Sequence, residues 1–323
     1  MNSNTYKHTI CIAPMMDWTD RHCRYFLRQV SNAAFLYTEM ITTGALLHGD
    51  PGRHLAHHAR EHPLAVQLGG SEPGDLAACA RLAASYEYDE VNLNIGCPSE
   101  RVQRGAFGAC LMAEPRLVAD CVRAIRDAVA LPITVKHRLG IDRTADYAFV
   151  RDFVGEVSTA GCRTFIVHAR IAVLRGLSPK ENREVPPLNY EFVYRLKREF
   201  PELEIVVNGG ISTREEIERH LLHVDGVMLG RAAYHQPWLL AAPGAQREEV
   251  VGAMYEYADA EVRKGTALRH IARHMLGLYH GHPRARLWRR MLSDPARLAA
   301  NDPRLLLDAC DEVEAATVLA AAA

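Results

Sequence analysis

The sequence predicts an α/β fold, a (β/α)8 TIM barrel with a C-terminal all-helical domain, and three observations carry that prediction. Eight short apolar runs alternate with helix-patterned stretches between residues 9 and 230, the beat of parallel β/α units. With the flanking residues up to the break near 242 they occupy about 240 residues, the scale of one such barrel. The positions just past the runs are rich in Gly and polar residues, as expected at the carboxyl-end face where barrel enzymes keep their chemistry.

The strands are expected at Thr9 to Met15, Ala34 to Met40, Leu64 to Gly69, Glu90 to Ile95, Ile133 to His137, Thr164 to His168, Ile205 to Asn208 and Val227 to Gly230. Amphipathic stretches lie between them, among them Pro73 to Tyr86, Pro115 to Val129 and Thr213 to Leu222. Each opens with proline, whose fixed φ suits a first helical turn, or with a capping residue. After Trp238 only helical patterning follows. The Ala242-Pro243-Gly244 break divides the chain into a barrel domain, 1–242, and a helical domain, 243–323.

Composition narrows the class. The chain has 323 residues, 48% hydrophobic and 24% charged, enough for one large core plus a smaller unit. The polar start lacks an apolar leader, and the alanine-rich end at 315–323 is too short to span a bilayer, so no membrane association and a cytoplasmic location are expected. Eight cysteines are scattered without a C-x-x-C pair, which indicates neither a disulfide framework nor a zinc site. His54, His57 and His58 have helical spacing, but no supporting ligand motif accompanies them, so no metal is expected. Net charge is −1, yet Arg263 to Arg297 holds nine Lys/Arg against one acid, Asp294. Such a run can be a solvated face. Interleaved His270, His274, His280, His282, Tyr279 and Trp288 would equally suit stacking and phosphate contact.

The run Val91-Asn92-Leu93-Asn94-Ile95-Gly96-Cys97-Pro98 ends a strand at Gly96 and presents Cys97 before a proline that blocks continuation. A thiol at the barrel's open end is placed to meet a ligand, as a nucleophile or in another role. Strands seven and eight end in Asn208-Gly209-Gly210 and Gly230-Arg231. Glycine lets the backbone approach an anion, so the pair reads as a phosphate site, with tight turns as the alternative. Lys136 ends strand five and could hold negative charge on a cofactor ring, unless it is a surface lysine or an internal ion-pair partner. His168 could equally be a satisfied core residue. Gln67 offers an amide donor and acceptor to a heterocycle edge. Together these residues describe a flat, polar-edged, phosphorylated cofactor.

The strings Ala13-Pro14-Met15-Met16-Asp17-Trp18-Thr19-Asp20, Asn92 to Pro98, Val135-Lys136-His137-Arg138-Leu139-Gly140 and Val207-Asn208-Gly209-Gly210-Ile211 closely resemble the tRNA-dihydrouridine synthases. Gly176 to Glu184 and Arg269 to Leu278 are similar to the bacterial A subfamily. The resemblance implies an FMN enzyme driven by NADPH, with tRNA as substrate; no obligate protein partner is evident from the sequence. It implies FMN binding by Pro14, Met15, Met16, Gln67, Lys136, His168, Asn208, Gly209, Gly210, Gly230 and Arg231. Cys97 would be the proton donor, Asn94 would touch the substrate base, and Lys180, Arg183, Arg286 and Arg290 would contact tRNA. The implied reaction adds hydride from reduced FMN to uracil C6 and a proton from Cys97 to C5, at positions 20 and 20a of the D loop. Uracil would have to be extruded from the folded tRNA, and Arg104 to Ala109 would form a lid or a static loop. The rival is a small-molecule flavin dehydrogenase of the dihydroorotate or dihydropyrimidine type, for which the basic helical segment would have no use.

Overall fold

A computed structural model describes residues 7–142, 144 and 146–321; the first six residues and the last two, part of the polar start and alanine-rich end, lie outside the described residues. Eight strands are present: β1 (Ile10–Ile12), β2 (Leu36–Thr42), β3 (Leu64–Gly69), β4 (Glu90–Ile95), β5 (Ile133–Arg138), β6 (Thr164–His168), β7 (Glu204–Asn208) and β8 (Gly226–Leu229). They pair in parallel in the order β1-β8-β7-β6-β5-β4-β3-β2. The ring meets where Ile12 N donates to Phe35 O at 2.9 Å and Phe35 N to Ile10 O at 2.8 Å. The fold is the expected (β/α)8 barrel, with differences of a few residues at strand ends. The largest is at β1, which stops three residues short of Met15, since Pro14 has no N–H to continue a ladder.

Side chains alternate along each strand, as the period of two requires. Cys11, Ala13, Phe35, Tyr37, Ala65, Ile166, Val206 and Met228 form one buried interior cluster. The intervening residues, Val66, Leu93, Val135 and Val207 among them, are buried on the outer face. Prolines stand at the first positions of helices Pro73–Ser85 and Pro115–Ala128. Thr213 caps helix Arg214–Leu221 through a reciprocal bond with Glu216.

The described structure divides into two compact units, one of Met1–Asp17 with Ala34–Gly230 and one of Trp18–Ala33 with Arg231–Ala323. The division thus falls after Gly230, twelve residues before the Pro243-Gly244 break, and the second unit also takes helix Arg21–Val30. Tyr25 of that helix stacks on Tyr257 with ring centroids 3.9 Å apart. Asp20 at its start accepts from Arg273 Nη2 at 2.7 Å and pairs with His274 Nε2 at 3.0 Å. These ties hold the Asp20 carboxyl well below its usual pKa despite burial. Chain order alone gave no sign of this exchange.

In the second unit, helices Arg247–Arg263, Leu268–Met275, Ala285–Ser293 and Arg304–Ala321 enclose a core. Trp288 and Tyr279 are fully buried in it. Trp288 Nε1 donates to Met275 O at 2.8 Å, and Tyr279 Oη donates to Glu314 Oε1 at 2.8 Å. The expectation that these two aromatics and His274 could stack on bases is therefore corrected: all three are core groups with satisfied polar tips. His57 stacks on Tyr88 and His58 caps a short turn, so the three histidines share no helix face. Among the described residues no helix is long and apolar enough to cross a membrane.

Candidate active site at the barrel mouth

Strand alternation turns Gln67, Asn94, Lys136, Arg138, His168 and Asn208 toward the barrel interior. The register sets them side by side: Asn94 is opposite Lys136, Arg138 is opposite His168, and His168 is opposite Asn208. Lys136 Nζ donates to Asn208 Oδ1 at 3.1 Å, and Asn208 Nδ2 donates to Met228 O at 2.8 Å. Lys136 is half-buried and among the described residues makes no ion pair.

Cys97 sits on a turn built by its neighbours. Asn94 Oδ1 accepts from the backbone N–H groups of Gly96 at 3.1 Å and Cys97 at 3.0 Å. Arg138 Nε donates to Gly96 O at 3.1 Å, and Cys97 O accepts from Ala109 N at 3.0 Å. Gly108, at φ +76°, lies so close that an added Cβ would stand 2.7 Å from Cys97 O. The Arg104–Ala109 segment is thereby tied at its far end to the turn carrying the thiol. Six of the eight cysteines are buried. Cys110 shares the half-buried state of Cys97, which sequence reading did not anticipate, but its Sγ is 3.1 Å from Phe107 O. Cys97 Sγ meets Ser99 Oγ at 3.5 Å.

Electrostatics mark the mouth as a place for an anion. Burial pushes the Lys136 ammonium down to about 7, aided by Arg138. Burial also pushes His168 well below its usual value, reinforced by Arg138, Lys136, Arg170 and Arg183. His168 is thus a neutral imidazole among cations. Gly209 and Gly210 have φ of +115° and +74°; an added Cβ at Gly209 would lie 2.7 Å from His168 Cδ2, and one at Gly210 2.6 Å from Leu188 Cδ1. The glycines do make tight turns, and any side chain larger than hydrogen would collide with His168, Leu188 or Tyr190 there. Met16 is 58% exposed, an apolar side chain that a flat ring would cover; Pro14 and Met15 beside it are half-buried. Cations, a neutral imidazole, glycine turns and exposed apolar surface fit a flat, anionic heterocycle. Gly230 follows β8, and Arg231 opens the next helix as the first residue of the second unit.

The loop after β6 is organised by Asn182, which is fully buried. Its Nδ2 donates to Val173 O at 2.9 Å and its Oδ1 accepts from Val173 N at 2.7 Å. Lys180 and Arg183 flank it and are exposed. Arg138, only 3% exposed, donates through Nη1 to Ile171 O at 3.0 Å and Asn182 O at 2.8 Å, joining this loop to the Cys97 turn. Sequence reading placed Arg138 at a strand end without a role and missed Asn182 and Asn92; their signal was only polarity at inward or loop positions. In the second unit, Arg286, Arg289 and Arg290 are exposed along helix Ala285–Ser293, opposite buried Ala285, Trp288, Met291 and Leu292. Among the described residues none of these three arginines is ion-paired.

A profile of the family described as dihydrouridine synthase (Dus) matches residues 11–316. The tRNA-dihydrouridine(20/20a) synthase of Pseudomonas putida is 58% identical over 312 residues, covering 94% of this chain and 93% of its own. The protein of the same description from Salmonella typhi is 57% identical over 306 residues, covering 91% and 92%. That of Escherichia coli K12 is 56% identical over 306 residues, covering 91% and 88%. Among solved structures, a 2-naphthoyl-CoA reductase in complex with 2-naphthoyl-CoA matches with a TM-score of 0.55 at 10% identity, covering 72% of this chain and 49% of that one. A likeness at that identity speaks to fold alone. A family match from Cys11 to Ala316 and relatives above half identity over nearly their whole length establish that the chain belongs to the dihydrouridine synthase family.

Proposed function

We propose that this protein reduces uridine in tRNA to 5,6-dihydrouridine at positions 20 and 20a, using FMN and NADPH, in the cytoplasm where tRNA is processed. The observation that carries the reading is the half-buried Cys97, braced by Asn94 and Arg138, beside a cation-rich mouth with paired glycine turns. FMN would be held by Pro14, Met15, Met16, Gln67, Lys136, His168, Asn208, Gly209, Gly210, Gly230 and Arg231. When bound, reduced FMN supplies the hydride that adds to C6 of the uracil ring, with NADPH as the source of reducing equivalents.

The chain's own residues then do three things. Lys136, with its charge opposed by burial, gains most from negative charge on the flavin or on a pyrimidine oxygen. Asn94 spends Oδ1 on the Cys97 turn and one Nδ2 hydrogen on Gln67, so it meets a base only as a donor, toward a carbonyl. Cys97 gives the proton from Sγ to C5 as the new C6–H bond forms, which requires that it hold that proton beforehand. The barrel, 1–242, is read as the catalytic domain and 243–323 as the tRNA-binding domain. Lys180, Arg183, Arg286 and Arg290 take tRNA phosphates; an extruded uridine enters the mouth.

The test is FMN-loaded protein with NADPH and unmodified tRNA transcript, read by mass spectrometry of nuclease fragments. A gain of two hydrogens on D-loop uridines is expected. Turnover of free uracil or dihydroorotate with tRNA inert would favour a small-molecule dehydrogenase, whose substrate has no use for the unpaired arginine face of helix Ala285–Ser293.

A further inference from the structure

Part of the barrel interior is an apolar cluster, and beside it runs a row of polar side chains. The Cα register runs Gln67–Asn92–Thr134–Thr164–Glu204 across β3 to β7. Within this row Gln67, Asn92 and Thr134 are each at most 1% exposed. Buried polar groups are costly unless each finds a partner, and here each does, in a single direction.

At the base, His8 Nε2 lies 2.7 Å from Glu90 Oε2 and His8 Nδ1 lies 2.9 Å from Glu204 Oε2. Burial opposes the imidazolium, but the two carboxylates overcome it and raise the His8 pKa to about 10. Both ring nitrogens therefore donate, and Glu90 accepts. Thr134 Oγ1 donates to Glu90 Oε1 at 2.5 Å, which leaves its lone pairs to accept from Asn92 Nδ2 at 2.8 Å. Asn92 Oδ1 then faces Gln67 Nε2 at 2.7 Å, Gln67 Oε1 faces Asn94 Nδ2 at 2.8 Å, and Asn94 Oδ1 faces the amides of Gly96 and Cys97. An amide turned over anywhere along this chain would set donor against donor and acceptor against acceptor.

We propose that Thr134 and Asn92, which do not reach the mouth, are positioning residues: through a one-way hydrogen-bond chain anchored on Glu90 they fix the donor and acceptor sense of the Gln67 and Asn94 amides at the reaction centre. Gln67 is thereby left one N–H to offer a flavin edge, and Asn94 one N–H to offer a carbonyl of the base. Without the Thr134 hydroxyl, Asn92 loses its acceptor and can reverse, and Gln67 can reverse with it. Gln67 is one of eleven proposed flavin contacts, but its reversed amide sets a donor against Asn94 Nδ2 and displaces the N–H that Asn94 offers the base. The inference rests on the proposed FMN and tRNA chemistry, and the experiment separates the two.

The probe is Thr134→Val, which keeps the shape and removes the hydroxyl, with Thr134→Ser as the conservative partner, both FMN-loaded. Flavin reduction by NADPH and anaerobic reoxidation of reduced flavin by tRNA are timed separately. Thr134→Val is expected to keep its flavin and its reduction rate within about threefold while reoxidation by tRNA slows about 10- to 100-fold, the scale of misplaced groups in an active site. Thr134→Ser should restore reoxidation. Unchanged reoxidation in Thr134→Val, or equal loss in both half-reactions, overturns the proposal. Absence of a flavin band or of tRNA-dependent reoxidation in the wild type instead overturns the underlying reading. Should Thr134→Val not fold, neutron diffraction of the perdeuterated wild-type protein decides: deuterium on the Asn92 nitrogen facing Thr134 and on the Gln67 nitrogen facing Asn92 is expected, and a reversed amide at either contradicts it.

Discussion

Replacing Arg138 by Met probes the joint between the Cys97 turn and the loop after β6. The guanidinium donates to three backbone carbonyls, Gly96 O, Ile171 O and Asn182 O, at 3.1, 3.0 and 2.8 Å. Hydrogen bonds to a charged group contribute about 1.5–3 kcal/mol each, so three represent about 5–9 kcal/mol gross. Opposing this is the burial of a cation whose three bonds all go to carbonyls, with Arg183 and Arg170 adding repulsion; burial pulls its pKa down to about 10. Methionine fills the stem's volume and relieves that burial, leaving a net destabilisation of about 2–4 kcal/mol. Activity should suffer more than stability implies, because the freed Gly96 carbonyl loosens the thiol's turn; a drop of about 10- to 100-fold in dihydrouridine formation is expected. Lysine should not rescue, since one ammonium cannot span the fork. Denaturant unfolding and single-turnover kinetics on the flavin-loaded protein provide the readings. A loss under about 0.5 kcal/mol with unchanged turnover would refute the reasoning.

Cys97→Ala should retain flavin and tRNA binding but lose about 10²- to 10⁴-fold of dihydrouridine formation, the worth of a positioned general acid; near-normal turnover removes Cys97 from the mechanism. Charge reversal at Arg286 and Arg290 should weaken tRNA binding and flatten its logarithmic salt dependence by about 1–2, with flavin reduction by NADPH intact, and filter binding across a salt series checks this. Lys136 gives a pH signature in flavin-free protein. Its pKa, about 7 when folded against 10.5 when exposed, makes the unfolded chain bind more protons in that window, so this group adds stability as pH rises from 7 to 10.5. His8, raised to about 10, acts in the opposite sense, its contribution lost as pH climbs from 6.5 to 10. The measurement is therefore the difference in unfolding free energy between wild type and Lys136→Met: wild type should gain relative to the variant as pH rises, and a flat difference contradicts the burial argument.

Much of the fold was legible because it rests on local signals. Alternating strands such as Glu90–Ile95 and proline-initiated helices such as Pro115–Ala128 follow from residue period and backbone restriction. The placement of the candidate site's side chains at strand ends was legible for the same reason, since inward parity follows from counting by two. The illegible parts depend on long-range partners. Helix Arg21–Val30 follows β1 in the chain, yet Tyr25 stacks on Tyr257, which no local window reveals. Trp288 and Tyr279 stand within a basic run whose charge suggests a surface, while helical phase turns them into the core. The polar row from Glu204 to Gln67 spans five strands and becomes visible only with the register.

The most direct test of the account is a dihydrouridine map of tRNA from cells with and without this protein, with Cys97→Ala supplied as a third condition. Loss of dihydrouridine at positions 20 and 20a without the protein, restored by the wild type and not by Cys97→Ala, is the predicted result. An unchanged map at those positions in cells lacking the protein would contradict the proposed function.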